Sequence, residues 1–408
     1  MFKVLESSNL SGEIKVWWSK NAALPIIAAN HMLWNRIHLK NKPAIKDVET
    51  LEKIAQQSLK NSLNYFDLST KLANKIRASI LLIPVGLKKY GEVKFSNPWG
   101  CKIWKRSLNS FDDAFKQAWV EIKIWRNKIY KTKNKPNKHI ILKEFSVTTT
   151  ESLISYLAFL SNIDYKIRVD QISIEPHVIN LINFLKTAGA NIKLEHNNSV
   201  IIKPTRPKFK KDSFKITWDY IQAGTYFALW ACANNSEIII KWCDYNDLIP
   251  VLAEANKIGV NYEILSKEKI KVNSYNKKNY KATTIQTWIH PWFPTDLQSI
   301  FGVLLTQAKG LSKIQETLFE GRFAYLAELE KIWANIEILN PNQAIIIWQT
   351  KLKNWYISTT DLRWGGAMII AWIISKGTTY ITNEEIILRW YENIIKNLQK
   401  IWVKIEKI

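Results

Sequence analysis

Apolar residues recur three and four positions apart in segments such as "VINLINFLKTAG" (178–189) and "NDLIPVLAEANKIG" (246–259). That spacing places them on one face of a helix. Each segment runs into a short stretch where apolar and polar residues alternate, the period of a half-buried strand. The junction between helix and strand is itself repeated. It reads "QAWVEI" at 117–122, "TAGANIK" at 187–193, "KIGVNYEI" at 257–264, "KIWANIEI" at 331–338 and "KIWVKIEK" at 400–407. The junctions centre on residues 119, 189, 259, 333 and 402, in steps of 70, 70, 74 and 69. Six units of about 68 residues would fill the 408, and a unit around residues 48–66 is degenerate. Helix-then-strand units at a regular period predict a repeated α/β architecture.

The central junction residue is Gly189 and Gly259 in two copies and Trp119, Trp333 and Trp402 in the other three. A helix that turns sharply into a strand places a left-handed residue there, which glycine adopts without a Cβ clash and tryptophan tolerates poorly. The chain has 13 Gly and 19 Trp among its 408 residues. Glycine alone is scarce against a usual share of about 7%, and the two together restore it. Trp34 in "LWNRIH" and Trp355 in "KNWYIS" also fall where turns are expected. We therefore expect that these tryptophans are glycine codons, UGA decoded as Trp where the source decodes it as Gly.

Hydrophobic residues make up 47% of the chain and charged residues 23%, which fits a globular protein. The apolar run "ASILLIPVGL" (78–87) is too short to cross a bilayer. No leader pattern opens the sequence, and the expected compartment is the cytoplasm. Three unclustered cysteines, Cys101, Cys232 and Cys243, argue against a disulfide framework or a zinc site. The net charge of +23 admits a nucleic-acid-binding reading. The lysines are scattered along the chain, however, and composition bias accounts for them better than a binding stripe. Arginine is rare, 9 residues, so each one marks a place where a flat, two-pronged, permanent cation matters.

Several segments carry candidate chemistry. "SGEIKVWWSKNAALPIIAA" (11–29) reads as a permissive turn, then Ser19, Lys20 and Asn21, then an apolar helix from near Pro25. A lysine and an amide at a strand-to-helix junction suit anion binding, because backbone donors and helix dipole point the same way. "PTDLQS" (294–299) puts Asp296 beside a helix start, as a general base or a structural N-cap. "TDLRWGG" (360–366) couples Asp361 with Arg363, while "KIRASI", "FEGRF" and "LRWYE" isolate Arg77, Arg322 and Arg389. "NPWGCKIWKR" (97–106) sets Cys101 in a turn beside Lys102, Lys105 and Arg106, neighbours that favour the thiolate. Cys232, inside the apolar "YFALWACA", reads as a small buried hydrophobe.

In order, "SKNAALP", "IRASI", "PWGCKIWKR", "FSVTTTE", "HPWFPTDLQ", "TLFEGRF", "TDLRWGGA" and "RWYE" resemble the signature segments of the UDP-N-acetylglucosamine 1-carboxyvinyltransferases. These enolpyruvyl transferases open peptidoglycan synthesis. The resemblance spans essentially the whole chain. It implies two similar globular domains, each of three small α/β units, with the active site in the cleft between them. The expected domains are residues 20–213, carrying the Cys101 loop, and residues 1–19 with 214–408. The family has glycine where this chain has Trp17, Trp18, Trp99, Trp104, Trp390 and Trp402.

The resemblance also implies roles. Lys20 and Asn21 meet phosphoenolpyruvate and the sugar. Arg106, Arg322, Arg363 and Arg389 complete the clamp on phosphoenolpyruvate. Cys101 gives a proton to the enolpyruvyl methylene and is the residue the epoxide fosfomycin labels. Asp296 takes the proton from the sugar 3-hydroxyl, and Asp361 supports addition and elimination. Asn21, Arg77, Arg106, Ser107, Leu108, Asn109, Ser110, Glu144, Phe145, Ser146, Val147, Asp296 and Leu318 lie along the UDP-sugar site. Neither cofactor nor metal is expected, and the partners are the two small substrates alone, without nucleic acid or membrane. Asn109 stands where the family has an aspartate, and Thr148 where it has glycine. The sister activity on shikimate 3-phosphate is the enzymatic alternative.

Overall fold

A computed structural model describes residues 1–60, 63–96, 107–124, 126–133, 135–160, 163–354, 356–358, 362–382 and 394–408. The chain divides into two compact units, Trp18–Thr217 and Met1–Trp17 with Trp218–Ile408.

One plan recurs through both. A helix leads into a second strand that lies parallel beside a first, and a second helix and an antiparallel hairpin follow. The hairpin's last strand inserts beside the second strand. In the unit Trp18–Thr217 this gives the sheet Phe66–Leu68, Glu92–Phe95, Lys128–Thr132, Val120–Ile124 in spatial order. It also gives His139–Ile141, Ile167–Asp170, Ser199–Lys203, Asn191–Glu195. The third copy is reduced to Ser213–Lys215 beside His38–Lys40 and the helix Lys46–Lys60, the degenerate copy expected near residues 48–66. The other unit holds three four-stranded copies. The first begins with Ser11–Lys15 beside Glu237–Lys241, and the second with Thr284–Gln286 beside Leu311–Gln315. The third begins with Tyr356–Ser358 beside Thr378–Thr382, and its hairpin is closed by Phe2–Leu5 and Ile405–Lys407, from opposite ends of the chain.

Alternation within strands decides which face goes inward. In Glu237–Lys241, Ile238 and Ile240 are buried while the flanking residues are not. The helix that leads into the second strand of each copy is buried along most of its described length and forms the centre of its unit. Tyr220–Cys232 and Gln298–Leu305 are buried at every position, and they pack on each other and on Leu362–Ile374. Lys20–Met32, Ile83–Tyr90 and Val147–Ala158 form the corresponding core of Trp18–Thr217. Cys232, at the end of Tyr220–Cys232, has no exposed surface, and burial pushes its thiol up to about 12.

The five helix exits share one backbone conformation. Gly189 and Gly259 have φ of 97° and 88°, and Trp119, Trp333 and Trp402 have 55°, 75° and 70°. In four of them the following residue donates its N–H to a carbonyl five positions back, closing a Schellman turn: Ala190 to Leu185, Val260 to Ala255, Ala334 to Leu329 and Val403 to Leu398. Trp34, Trp242 and Trp348 are left-handed as well, at 62°, 63° and 59°. Trp355 lies outside the described residues.

Candidate active site

The candidate residues of Trp18–Thr217 gather at helix starts. Ser19 caps the helix Lys20–Met32, its Oγ accepting the Ala22 N–H at 3.2 Å, and its own N–H donates to the Thr217 carbonyl at 2.8 Å. The helix therefore begins five residues before the expected Pro25, which sits inside it. The serine cap fixes the start, and the proline only removes one donor from the second turn. Lys20 is buried and its Nζ lies 2.6 Å from Asp47 Oδ2, each side chain 9% exposed. Asp47 belongs to the first turn of the helix Lys46–Lys60. A buried cation needs such a partner, and the pair holds the ammonium at the start of a helix whose own N–H groups favour an anion. Asn21 follows, half-buried.

Arg77 opens the turn of 3-10 helix Arg77–Leu82, which touches both Lys20–Met32 and Val147–Ala158. Ser146 caps Val147–Ala158, accepting the Thr149 N–H at 3.4 Å and its hydroxyl at 2.9 Å, with Glu144 and Phe145 exposed just before it. Thr148 is half-buried in that first turn. Ser107 accepts the Asn109 N–H at 3.0 Å at the start of Asn109–Gln117, where Leu108 is buried and Ser110 half-buried. So Ser19, Arg77, Ser107 and Ser146 stand at or beside four helix starts of one unit, where backbone N–H groups and the dipole favour negative charge.

In the other unit Asp296 stands ahead of a helix start. It lies in the short turn Thr295–Leu297 ahead of Gln298–Leu305, whose N-cap residue Leu297 makes no side-chain capping bond. Asp296 Oδ1 instead accepts from Arg322 Nη1 at 3.2 Å and Nη2 at 3.3 Å. Arg322 is 7% exposed, reaches the Thr295 carbonyl at 3.5 Å, and its guanidinium lies over the Phe319 ring at 4.8 Å. A guanidinium fixed against one carboxylate oxygen orients the group. Leu318 lies on the same loop, half-buried.

Cys101, Arg106, Asp361 and Arg389 lie outside the described residues, as does the Arg363 side chain. Among the described residues no group of three or more His, Cys, Asp and Glu is placed to hold a metal. No described helix is long and apolar enough to cross a membrane. Two carboxylates that no sequence motif marked stand beside these residues, Asp47 against Lys20 in one unit and Glu316 against Thr295 in the other. Glu316 is fully buried and accepts from Thr295 Oγ1 at 2.8 Å.

Copies of one small α/β plan repeated through two units place the chain among the enolpyruvyl transferases in fold. The fold matches that of the enolpyruvyl transferase NikO from Streptomyces tendae at a TM-score of 0.86, with 15% identity over 99% of this chain and 98% of that one. It matches an EPSP synthase from Acinetobacter baumannii at 0.71, with 10% identity over 100% and 99%. The chain belongs to the family described as EPSP synthase (3-phosphoshikimate 1-carboxyvinyltransferase), whose profile matches residues 4–398. UDP-N-acetylglucosamine 1-carboxyvinyltransferase 1 of Clostridium acetobutylicum is 31% identical over 424 residues, covering 100% of this chain and 99% of the relative. The UDP-N-acetylglucosamine 1-carboxyvinyltransferase of Pelagibacter ubique is 32% identical over 421 residues, covering 100% and 99%.

Proposed function

We propose that this chain transfers the enolpyruvyl group of phosphoenolpyruvate to the 3-hydroxyl of UDP-N-acetylglucosamine and releases phosphate, the step that commits the sugar to peptidoglycan. The observation that carries this reading is the end-to-end likeness, at 31% and 32% identity, to enzymes named for that reaction. The family description names the shikimate 3-phosphate reaction instead, but the EPSP synthase structures share only 10% and 12% of their sequence with this chain.

In this reading the pair of half-buried Asp296 and buried Arg322 supports base catalysis. The sugar oxygen adds to C2 of phosphoenolpyruvate while its proton passes to the Asp296 carboxylate. The Cys101 thiol gives a proton to C3, and a tetrahedral ketal results. C3 then gives a proton to the Cys101 thiolate left by the addition as the C2–O bond to phosphate breaks, leaving the enol ether and free phosphate. Lys20, Asn21, Arg106, Arg322, Arg363 and Arg389 neutralise phosphate and carboxylate, and Asp361 supports both steps. Arg77, the 107–110 segment, Glu144 to Val147 and Leu318 serve the nucleotide-sugar.

Asp296→Asn keeps the shape of the side chain and removes the base. Binding of UDP-N-acetylglucosamine, measured by calorimetry, is expected to stay within a few-fold, while turnover falls by about 10²–10⁴. Wild-type turnover in this variant removes Asp296 from its role.

A further inference from the structure

We propose that Glu316 is a positioning residue that delivers Asp296 and Arg322 to the reaction as one unit. The proposal rests on the reading of Asp296 as the base. Glu316 follows the strand Leu311–Gln315, and its backbone is clamped by the next hairpin. Its N–H donates to the Asn342 carbonyl at 2.8 Å, and Asn342 Nδ2 donates to the Glu316 carbonyl at 2.9 Å. Its carboxylate, fully buried, has both oxygens engaged. Oε2 accepts from Thr295 Oγ1 at 2.8 Å, and Oε1 accepts the N–H groups of Leu318 at 3.0 Å and Phe319 at 3.2 Å. Thr295 precedes Asp296. Phe319 lies three residues before Arg322, which returns to Asp296 and to the Thr295 carbonyl. The result is a closed ring from Glu316 through Thr295, Asp296, Arg322 and Phe319 back to Glu316. A buried carboxylate carries a desolvation cost that is tolerated where several donors converge on it. Here the donors come from the two loops that carry the base and its guanidinium partner.

Glu316→Gln keeps an oxygen for the two N–H groups and replaces the acceptor of the Thr295 hydroxyl. Thr295→Val removes the donor, and Thr295→Ser keeps it. We expect Glu316→Gln and Thr295→Val each to lower kcat on the order of ten- to a hundredfold, as misplacement of a reacting group does, with the KM for UDP-N-acetylglucosamine changed less than about threefold. The double variant should be no slower than the worse single variant, and Thr295→Ser should restore turnover. Multiplicative losses in the double variant, or undiminished kcat in Thr295→Val, overturn the proposal. If Glu316→Gln does not fold, the contrast between Thr295→Val and Thr295→Ser decides. Wild-type turnover in Asp296→Asn would defeat the base assignment, an outcome separate from the coupling between Glu316 and Thr295.

A second observation carries an independent inference. We infer that glycine stands in the cell-made protein where this sequence reads tryptophan in left-handed conformation. Among the described residues, thirteen non-glycine positions have positive φ: six Asn, one Gln and six Trp. Asparagine enters that region readily, whereas a bulky side chain there is an outlier. Three of the six occupy the helix exits where other copies carry Gly189 and Gly259. In addition, Trp230 and Trp372 are fully buried with no hydrogen-bond partner for Nε1 among the described residues, although a buried indole N–H ordinarily finds one. Peptide mass spectrometry of the protein purified from its source organism reads residues 119, 333 and 402 directly. Glycine masses, with UGA codons in the gene, are expected. Tryptophan masses at these positions overturn the inference.

Discussion

Trp402→Gly is expected to stabilise the chain as written. Its indole is 72% exposed, so little buried surface is lost. Its backbone stands at φ 70°, where an L-residue with a Cβ costs about 1–2 kcal/mol relative to glycine. Glycine returns about 0.4–1 kcal/mol of that through a freer unfolded chain. The net gain is about 1 kcal/mol, a rise in Tm of about 2–4 °C for a unit of this size. Trp333→Gly should gain less, because the Lys353 ammonium lies 3.7 Å from the indole centroid and that contact contributes about 0.5–1 kcal/mol. Trp119→Gly also gains less, losing the bond from Nε1 to Asn137 Oδ1 at 2.7 Å. The converse substitution calibrates the series. A Cβ at Gly259 would meet nothing within 4 Å, so Gly259→Ala isolates the backbone cost at about 1 kcal/mol. At Gly189 the same Cβ would lie 2.5 Å from the Lys208 carbonyl oxygen, and the loss should be larger. Urea unfolding with the slope m held common gives each value. Loss of stability in Trp402→Gly, or no loss in Gly259→Ala, refutes the reasoning.

Cys101→Ser should lower turnover and abolish labelling by fosfomycin, read as the adduct mass; undiminished labelling removes Cys101 from the reaction. Asp47→Asn takes the carboxylate from Lys20, so the KM for phosphoenolpyruvate should rise about tenfold and stability should fall by about 3 kcal/mol. An unchanged KM would make the pair purely structural. Burial lowers the His31 imidazole to about 4. Its unfolded form takes up a proton near pH 6.5, so the stabilising contribution is complete above that pH and is lost as pH falls toward 4. Unfolding titrations should show a loss of up to roughly 3 kcal/mol across that window, and His31→Leu should flatten it.

The repeat was legible because its marker is local. A left-handed helix exit constrains one residue, and glycine or its written substitute recurs there at a fixed period. The helix starts bearing Ser19 and Ser146 were legible for the same reason, since a cap needs one side chain and its own next turn. Pro25 misled because proline marks a helix's first turn more often than its interior. Asp47 was invisible as a site residue: an acid in a helix's first turn already has a local explanation in the dipole, and its contact with Lys20 exists only after folding. Glu316 was hidden more deeply. Its three donors come from two loops, and nothing along the chain records that those loops meet.

Phosphate release by the purified full chain tests the central claim most directly. The account predicts release only when phosphoenolpyruvate and UDP-N-acetylglucosamine are both present, with the enolpyruvyl group recovered on the sugar 3-oxygen. Release with shikimate 3-phosphate in place of the nucleotide-sugar, and none with UDP-N-acetylglucosamine, would contradict it.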